Sequence, residues 1–489
     1  MPASLSGVAS GARRPRGLMS RQGVVVGAGM GGLTAATRLA QLGFRVRVLE
    51  AREEPGGLAS SFEKEGFFFD AGPYVLLDRL GLEWAFGRLG LKLEECVALK
   101  RIEGVYEVLS DEGGSLKFYA SLEQTAANLE RIWPGSGPRY VCFVRSVERI
   151  YQRLQPLLYV PRPGLSDLLR RGLWRQAPFL LRSLQSVLEG TGLPSPVQDA
   201  IAIWTHVAGQ SVREAPSPMA FVPALIHTIG AFYPVGGMET IPRALARAAD
   251  AAGVEFQYGT KVRAIRCERS RVCGIETDRG EFLPADAVIS NAGGVGTYLE
   301  LVKPTPSRVR EQLRRLPLQS PGVCAYLAVR GEIPPPYLRF YLPGGDGPCR
   351  LFVAPATLVP ELNRDGWQPA RLLAPMDHAV AERVGPSGQR AYLDRLLAED
   401  WWRRPVTDVR VLAKRIPSEW GAEYHLYRQS MNPVMTAHLL RAGRLAHRSP
   451  YVRGLYLSGS STHPGQWMSF CAISGILAAD RVREDLLGC

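Results

Sequence analysis

Residues Val24–Glu50 read VVVGAGMGGLTAATRLAQLGFRVRVLE. The three valines predict a short buried strand. Gly27, Gly29 and Gly32 follow in G-x-G-x-x-G spacing, with Ala28 between the first two. Leu33, Thr37 and Ala40 then recur on one helical face. Gly43 ends that helix, Arg45–Leu49 alternate into a second strand, and Glu50 closes it. Each residue type has a physical task. Gly27 permits a tight turn, Gly29 lets the backbone approach a pyrophosphate, and Gly32 lets helix and strand pack closely. The helix N-terminus presents unpaired N–H groups and the positive end of its dipole to phosphates. Glu50, eighteen residues past Gly32, can accept hydrogen bonds from ribose hydroxyls. The unit is a dinucleotide-binding βαβ element, which makes the fold α/β.

The next residues, AREEPGGLASSF, choose among dinucleotides. Arg52, Gly56, Gly57 and Leu58 lie just past the second strand. A nicotinamide cofactor gives no reason for a second glycine turn there, whereas the longer FAD runs back past it. The segment GFFFDAGPYVL then ends a hydrophobic strand at Asp70 and turns at Gly72–Pro73, within reach of the isoalloxazine. Asp70 reads equally well as a turn cap.

These residues, with three later segments, carry a resemblance. The segments are YPVGGMETIPRALARAADAAGVEFQYGTKVRAI (Tyr233–Ile265), ADAVISNAGG (Ala285–Gly294) and GLYLSGSSTHPGQW (Gly454–Trp467). The chain resembles the bacterial-type phytoene desaturase and carotenoid isomerase family of the flavin amine oxidase superfamily. The resemblance implies an FAD-binding Rossmann-like (GR2-type) domain assembled from residues 20–100, 232–300 and 450–489, with an interleaved α+β substrate domain from 101–231 and 301–449. It implies that Val262 contacts the adenine end of FAD through its backbone. It also implies that Gly459, Ser460, Trp467 and Met468 lie along the flavin, where Ser460 replaces the acid that often binds a ribityl hydroxyl. His463 is the one weak candidate for an acid or base, and its plainer reading is a turn residue beside the ring. The order Pro464–Gly465–Gln466 is closer to the isomerase and saturase branch than to the desaturases. The last helix is expected over Ile473–Val482.

The function expected is hydride transfer from a carotenoid or related polyisoprenoid to FAD. Carotenoid cis–trans isomerisation or saturation, amine oxidation, and a non-catalytic prenyl-binding escort of the same fold are the alternatives. The intact glycine and acid set argues against the escort.

The bulk numbers fit. At 489 residues the chain is long enough for two or three domains. Its eight cysteines and seven histidines are dispersed, so no metal site is expected. The net charge is +13, and lysine supplies seven of the 59 basic residues. Arginine excess of this kind reads as coding bias or as attraction to an anionic membrane surface. No zinc finger, helix-turn-helix or aromatic RNA-binding signature accompanies it, so nucleic acid is not an expected partner. Residues 1–19 form a basic stretch without the apolar middle of a signal peptide, expected to be a flexible tail or a targeting peptide.

Two stretches bear on the substrate side. LSDLLRRGLWRQAPFLLRSLQSVLE, Leu165–Glu189, interleaves leucines and arginines and is expected to form two helices broken at Pro178. Such helices lie either on an ordinary surface or in a membrane interface. Ala215–Met238 carries no formal charge but is punctuated by prolines and glycines, so a buried loop and strand are expected. The localisation expected is cytoplasmic with peripheral membrane association.

Overall fold

The computed structural model describes residues 21–111, 114–303, 305–344 and 348–488. The basic tail, 1–19, lies outside the described residues. Strand β1 (Gln22–Val26), helix α1 (Met30–Gln41) and strand β2 (Arg45–Leu49) form as the periodicity predicts, and Gly43 takes the left-handed conformation that ends the helix. Three further strands join them: β3 (Glu255–Gln257), β4 (Ala287–Ser290) and β5 (Leu455–Leu457). The result is a parallel sheet in the order β5-β4-β1-β2-β3. Chain order reverses at β1, and in open parallel sheets ligands bind at the carboxyl ends of the strands beside such a switch.

The closing helix, α2, spans Met468–Leu487 and crosses α1. It starts five residues earlier than the apolar spacing suggests. Gly475 makes the crossing tight: a side-chain carbon there would overlap the Gly31 carbonyl and the Thr34 hydroxyl. Thr34 Oγ1 donates to the Ala472 carbonyl at 2.9 Å, tying the helices. Leu33, Leu39, Ile473 and Ile476 are fully buried in this layer, each contributing about 1.5–3 kcal/mol by leaving water.

A second, mixed sheet of seven strands is built elsewhere in the chain. Its order is Asp408–Arg415, Val323–Arg330, Gln368–Ala374, Arg350–Val353, Leu338–Leu342, Gly104–Ser110 and Ser115–Tyr119. Helices between residues 122 and 228 cover the cavity between the two sheets.

Two local expectations fail. Leu165–Glu189 does not form two helices. It makes short helical pieces at Leu165–Arg170, Trp174–Gln176, Ala177–Leu180 and Leu184–Glu189. Pro178 sits in the first turn of its piece, where its missing N–H costs nothing, so it starts a helix rather than breaking one. Ala215–Met238 holds a buried helix, Phe221–Thr228, before the expected strand Phe232–Pro234. Pro223 is tolerated for the same reason.

Candidate functional site

The carboxyl ends of β1, β2 and β4 open onto a cavity of about 1400 Å³. That exceeds the roughly 300–1,000 Å³ typical of small-molecule pockets. Of the residues read from sequence as cofactor-binding, Gly27, Gly29, Glu50, Arg52, Gly56, Gly57, Leu58, Gly72, Pro73, Val262, Gly459, Ser460, Trp467 and Met468 line it. Ala28 and Gly32 stand behind the wall. The Ala28 N–H donates to Glu50 Oε2 at 2.6 Å. A side-chain carbon on Gly32 would overlap the Gly27 carbonyl, the close helix–strand contact its spacing predicts.

Glu50 also accepts the Arg52 N–H, through Oε1 at 3.0 Å. Burial lifts its carboxyl above the ordinary value, against these two donors. Arg52 stacks on Tyr424 at 4.4 Å and reaches Glu423 at 3.7 Å. Asn291, carried by the ADAVISNAGG segment but not singled out from it, closes the floor of the site. A side-chain carbon on Gly29 would come within 2.7 Å of Asn291 Nδ2, so anything larger than glycine intrudes on the cradle.

The hydroxyl-rich Gly459–Gly475 stretch is explained by pinning. The Gly459 N–H donates to Ser474 Oγ at 2.9 Å, and Ser474 Oγ lies 2.6 Å from Thr462 Oγ1. Ser461 Oγ accepts the Gly294 N–H at 3.0 Å, and Ser460 Oγ donates to the Met431 carbonyl at 3.3 Å. Trp467 stacks on Phe470 at 5.0 Å. Gln466 accepts from Asn432 Nδ2 at 2.7 Å, joining this loop to the residues around the strand pair Leu318–Gln319 and Asn432–Pro433.

His463 lines the cavity, but its Nε2 sits 2.9 Å from the Leu157 carbonyl. A carbonyl only accepts, so that nitrogen carries the proton and is committed. Burial, with His447 and Arg444 nearby, pushes the imidazole down to about 3. The ring is neutral at physiological pH, and its geometry is that of a clamp on the 155–159 turn.

Two further groups were not legible in the sequence. Asp78 caps the helix Arg79–Arg88, accepting the Gly81 N–H through Oδ1 at 3.1 Å. Its Oδ2 has no hydrogen-bond partner, it lines the cavity beside Ser469 and Tyr151, and burial raises its pKa. Arg371 is buried and donates to the carbonyls of Ala71 and Gly72, at 3.0 Å each, fixing the Gly72–Pro73 turn. Among the described residues no cluster of His, Cys, Asp and Glu is placed to hold a metal ion.

From the helix end the cavity continues between apolar side chains. Leu154, Leu157, Leu158, Phe221, Val222 and Leu225 line it, and it reaches the surface at Leu165 and Leu181. These two are 77% and 63% exposed, beside Leu169 at 67% and Trp174 at 56%.

Comparison with known proteins agrees with this geometry. The family model for flavin containing amine oxidoreductase matches residues 30–332, and that for FAD dependent oxidoreductase matches residues 213–465. The chain is 28% identical to the zeta-carotene-forming phytoene desaturase of Myxococcus xanthus, over 94% of each chain. It is 26% identical to the carotenoid 3,4-desaturase of Haloarcula japonica, over 94% of this chain and 98% of that one. An oxidoreductase from Methanosarcina mazei shares the fold with a TM-score of 0.65, at 18% identity, covering 94% of this chain and 100% of the other. The glycines at the strand ends, Glu50 beside them and the second glycine turn suit FAD, which is the cofactor of these families. The protein is an FAD-dependent oxidoreductase, and the chain belongs to the flavin containing amine oxidoreductase family.

Proposed function

We propose that the protein desaturates a carotenoid or closely related polyisoprenoid. One observation carries this reading: the cavity runs unbroken from the dinucleotide cradle into a passage walled by aliphatic and aromatic side chains. A long hydrocarbon fits such a passage, and the relatives from Myxococcus and Haloarcula are named as carotenoid desaturases. Residues 20–100, 232–300 and 450–489 form the cofactor unit in this account, and residues 101–231 and 301–449 form the substrate unit.

When bound, FAD supplies the hydride acceptor. The chain's own residues then have three tasks. The apolar walls align adjacent allylic carbons with the ring and exclude water. Departure of a hydride leaves a resonance-stabilised allylic cation, whose neighbouring C–H is acidic enough for a carboxylate to take the proton. Asp78 is the carboxyl placed for that step, being buried in the wall with one oxygen unpartnered. His463 Nε2 is held by the Leu157 carbonyl, so that nitrogen is not free to accept a proton.

The exposed Leu165, Leu169, Trp174 and Leu181, interleaved with Arg170, Arg171, Arg175 and Arg182, form a peripheral membrane contact at the passage mouth. No helix among the described residues is long and apolar enough to cross a membrane. A carotenoid dissolved in the bilayer enters at this patch.

Expression in cells that accumulate phytoene tests the reading. Products absorbing at longer wavelength mean added conjugation. An unchanged chromophore with altered cis/trans ratio would replace desaturation by isomerisation.

A further inference from the structure

Arg444 lies beneath the Gly459–Trp467 loop. Its Nη1 donates to the Ser460 carbonyl at 2.9 Å, and a side-chain carbon on Gly465 would come within 3.1 Å of its Nη2. Arg444 lines the cavity, and its buried Nε has no hydrogen-bond partner. Among the described residues no carboxylate faces it. Its titratable neighbours are Cys471 from α2 and His463 from the loop, with His447 behind His463. Burial pushes the Cys471 thiol up to about 12, and the two imidazoles down to about 3 and about 4. All three are neutral near pH 7. Arg371, which is fully buried at the cavity wall, differs in having Asp70 beside it.

Arg444 as a whole is half-buried, open to the cavity, but its Nε is buried, and a cation so enclosed without a counter-charge is destabilising unless something anionic joins it. Burial lowers the pKa of Arg444 to about 10, still well above neutrality. The charge therefore persists and faces the cavity. The position says what it faces. A side-chain carbon on Gly31, at the phosphate-facing start of α1, would lie 2.8 Å from the Gly459 N–H. From Gly459 the loop leads past Ser460 and Gly465 to Trp467 and Met468. Arg444 spans that loop from the Ser460 carbonyl, next to Gly459, to Gly465, and so reaches away from the phosphate end along it.

We propose that Arg444 supplies the counter-charge for the flavin ring as it is reduced. An oxidised flavin that accepts a hydride gains two electrons and one proton and becomes a monoanion. A second proton from solvent would neutralise it. A fixed guanidinium favours the monoanion, so that proton is not taken up and the two-electron potential rises. Arg444 is thus a residue that tunes the cofactor. The inference rests on FAD, not on which hydrocarbon is oxidised.

The test is the midpoint potential of the bound flavin as a function of pH. The wild-type holoprotein should lose a factor of ten in reduction equilibrium per pH unit, about 30 mV for two electrons, from neutral to mildly acidic pH. Twice that slope near neutrality would mean two protons and would overturn the proposal, whatever the variants do. Arg444→Met should take up the second proton just below neutral pH. Its potential should fall by at least a tenfold change in equilibrium, about 30 mV. Arg444→Lys should restore the single-proton slope. An Arg444→Met protein that keeps its FAD with unchanged potential and slope would leave Arg444 as a loop clamp only, and would also overturn the proposal. If Arg444→Met does not retain FAD, Arg444→Gln takes its place, and a Gln variant with the wild-type potential and slope overturns the proposal.

Discussion

Tyr233 donates its phenolic proton to Asp70 Oδ2 at 2.6 Å, joining residues 163 positions apart. The Ser61 hydroxyl and the Met238 N–H donate to the other carboxylate oxygen, at 2.9 and 2.7 Å. Asp70 ends the strand that leads into the turn at Gly72–Pro73, which lines the cavity. The carboxyl read from sequence as either a turn cap or a flavin neighbour is therefore a buried junction between two separated chain segments. Tyr233→Phe leaves that carboxyl one donor short. It should cost about 1–3 kcal/mol, read as a lower midpoint in denaturant with an unchanged m-value.

Gly29 tests the contact between chain and cofactor. Its missing side chain leaves space that ends 2.7 Å on, at Asn291. Gly29→Glu should abolish FAD retention while far-UV circular dichroism stays native. A mutant that purifies yellow at full occupancy would remove this residue from the cradle.

Three enclosed histidines, His447 buried and His227 and His463 half-buried, predict an acid-labile fold. Burial depresses His227 and His447 to about 4 and His463 to about 3, against an ordinary value of 6.5. For a base whose folded pKa lies below its unfolded pKa, the unfolded chain binds more protons between the two values. Stability is then full above pH 6.5 and is lost as pH falls toward 4. Between pH 7 and pH 5 each histidine should remove about 2 kcal/mol. His447→Gln should flatten the slope of unfolding free energy against pH by about one such contribution; an unaltered slope would show that burial does not depress His447.

The membrane contact has its own readout. Replacing Leu165, Leu169, Trp174 and Leu181 together by Gln should cut co-sedimentation with anionic vesicles at least tenfold, since about 0.8 kcal/mol is lost per buried CH₂ equivalent. FAD content and the reduction potential should not change. Equal sedimentation of the variant and the wild type would place the membrane contact elsewhere.

Asp78→Asn keeps a good helix cap but removes the proton acceptor. With a desaturation assay in hand, kcat should fall by about 10²-fold or more while KM stays within about twofold. A variant with wild-type kcat would show that the proton leaves by another route.

The sequence made the cofactor half legible because its signals are local. Gly27, Gly29, Gly32 and Glu50 lie within one βαβ unit, where spacing and geometry map onto each other. Leu455–Leu457 and Phe232–Pro234 are signals of the same local kind, short apolar strands with glycines shortly after them. The rest depends on contacts far apart in sequence. Nothing local to Gly475 says that it meets Gly31, and the hydroxyls of Ser461, Thr462 and Ser474 gain meaning only once Gly294 and Gly459 are beside them. Asp78 and Arg444 look like ordinary surface charges until the fold sets them in the cavity wall. The Leu165–Glu189 region misled because leucine spacing over a long window hid several short helices, each too brief to carry a period. Pro178 has opposite meanings at the start and in the middle of a helix.

The most direct test mixes the purified, oxidised holoprotein with phytoene in liposomes under anaerobic conditions, with no added electron acceptor. The account predicts loss of the flavin's visible band together with one new double bond per flavin, identified in the extracted carotenes. A flavin that stays oxidised in the presence of bound phytoene and longer-chain or more unsaturated polyisoprenoids, or one that is bleached by amines instead, would contradict it.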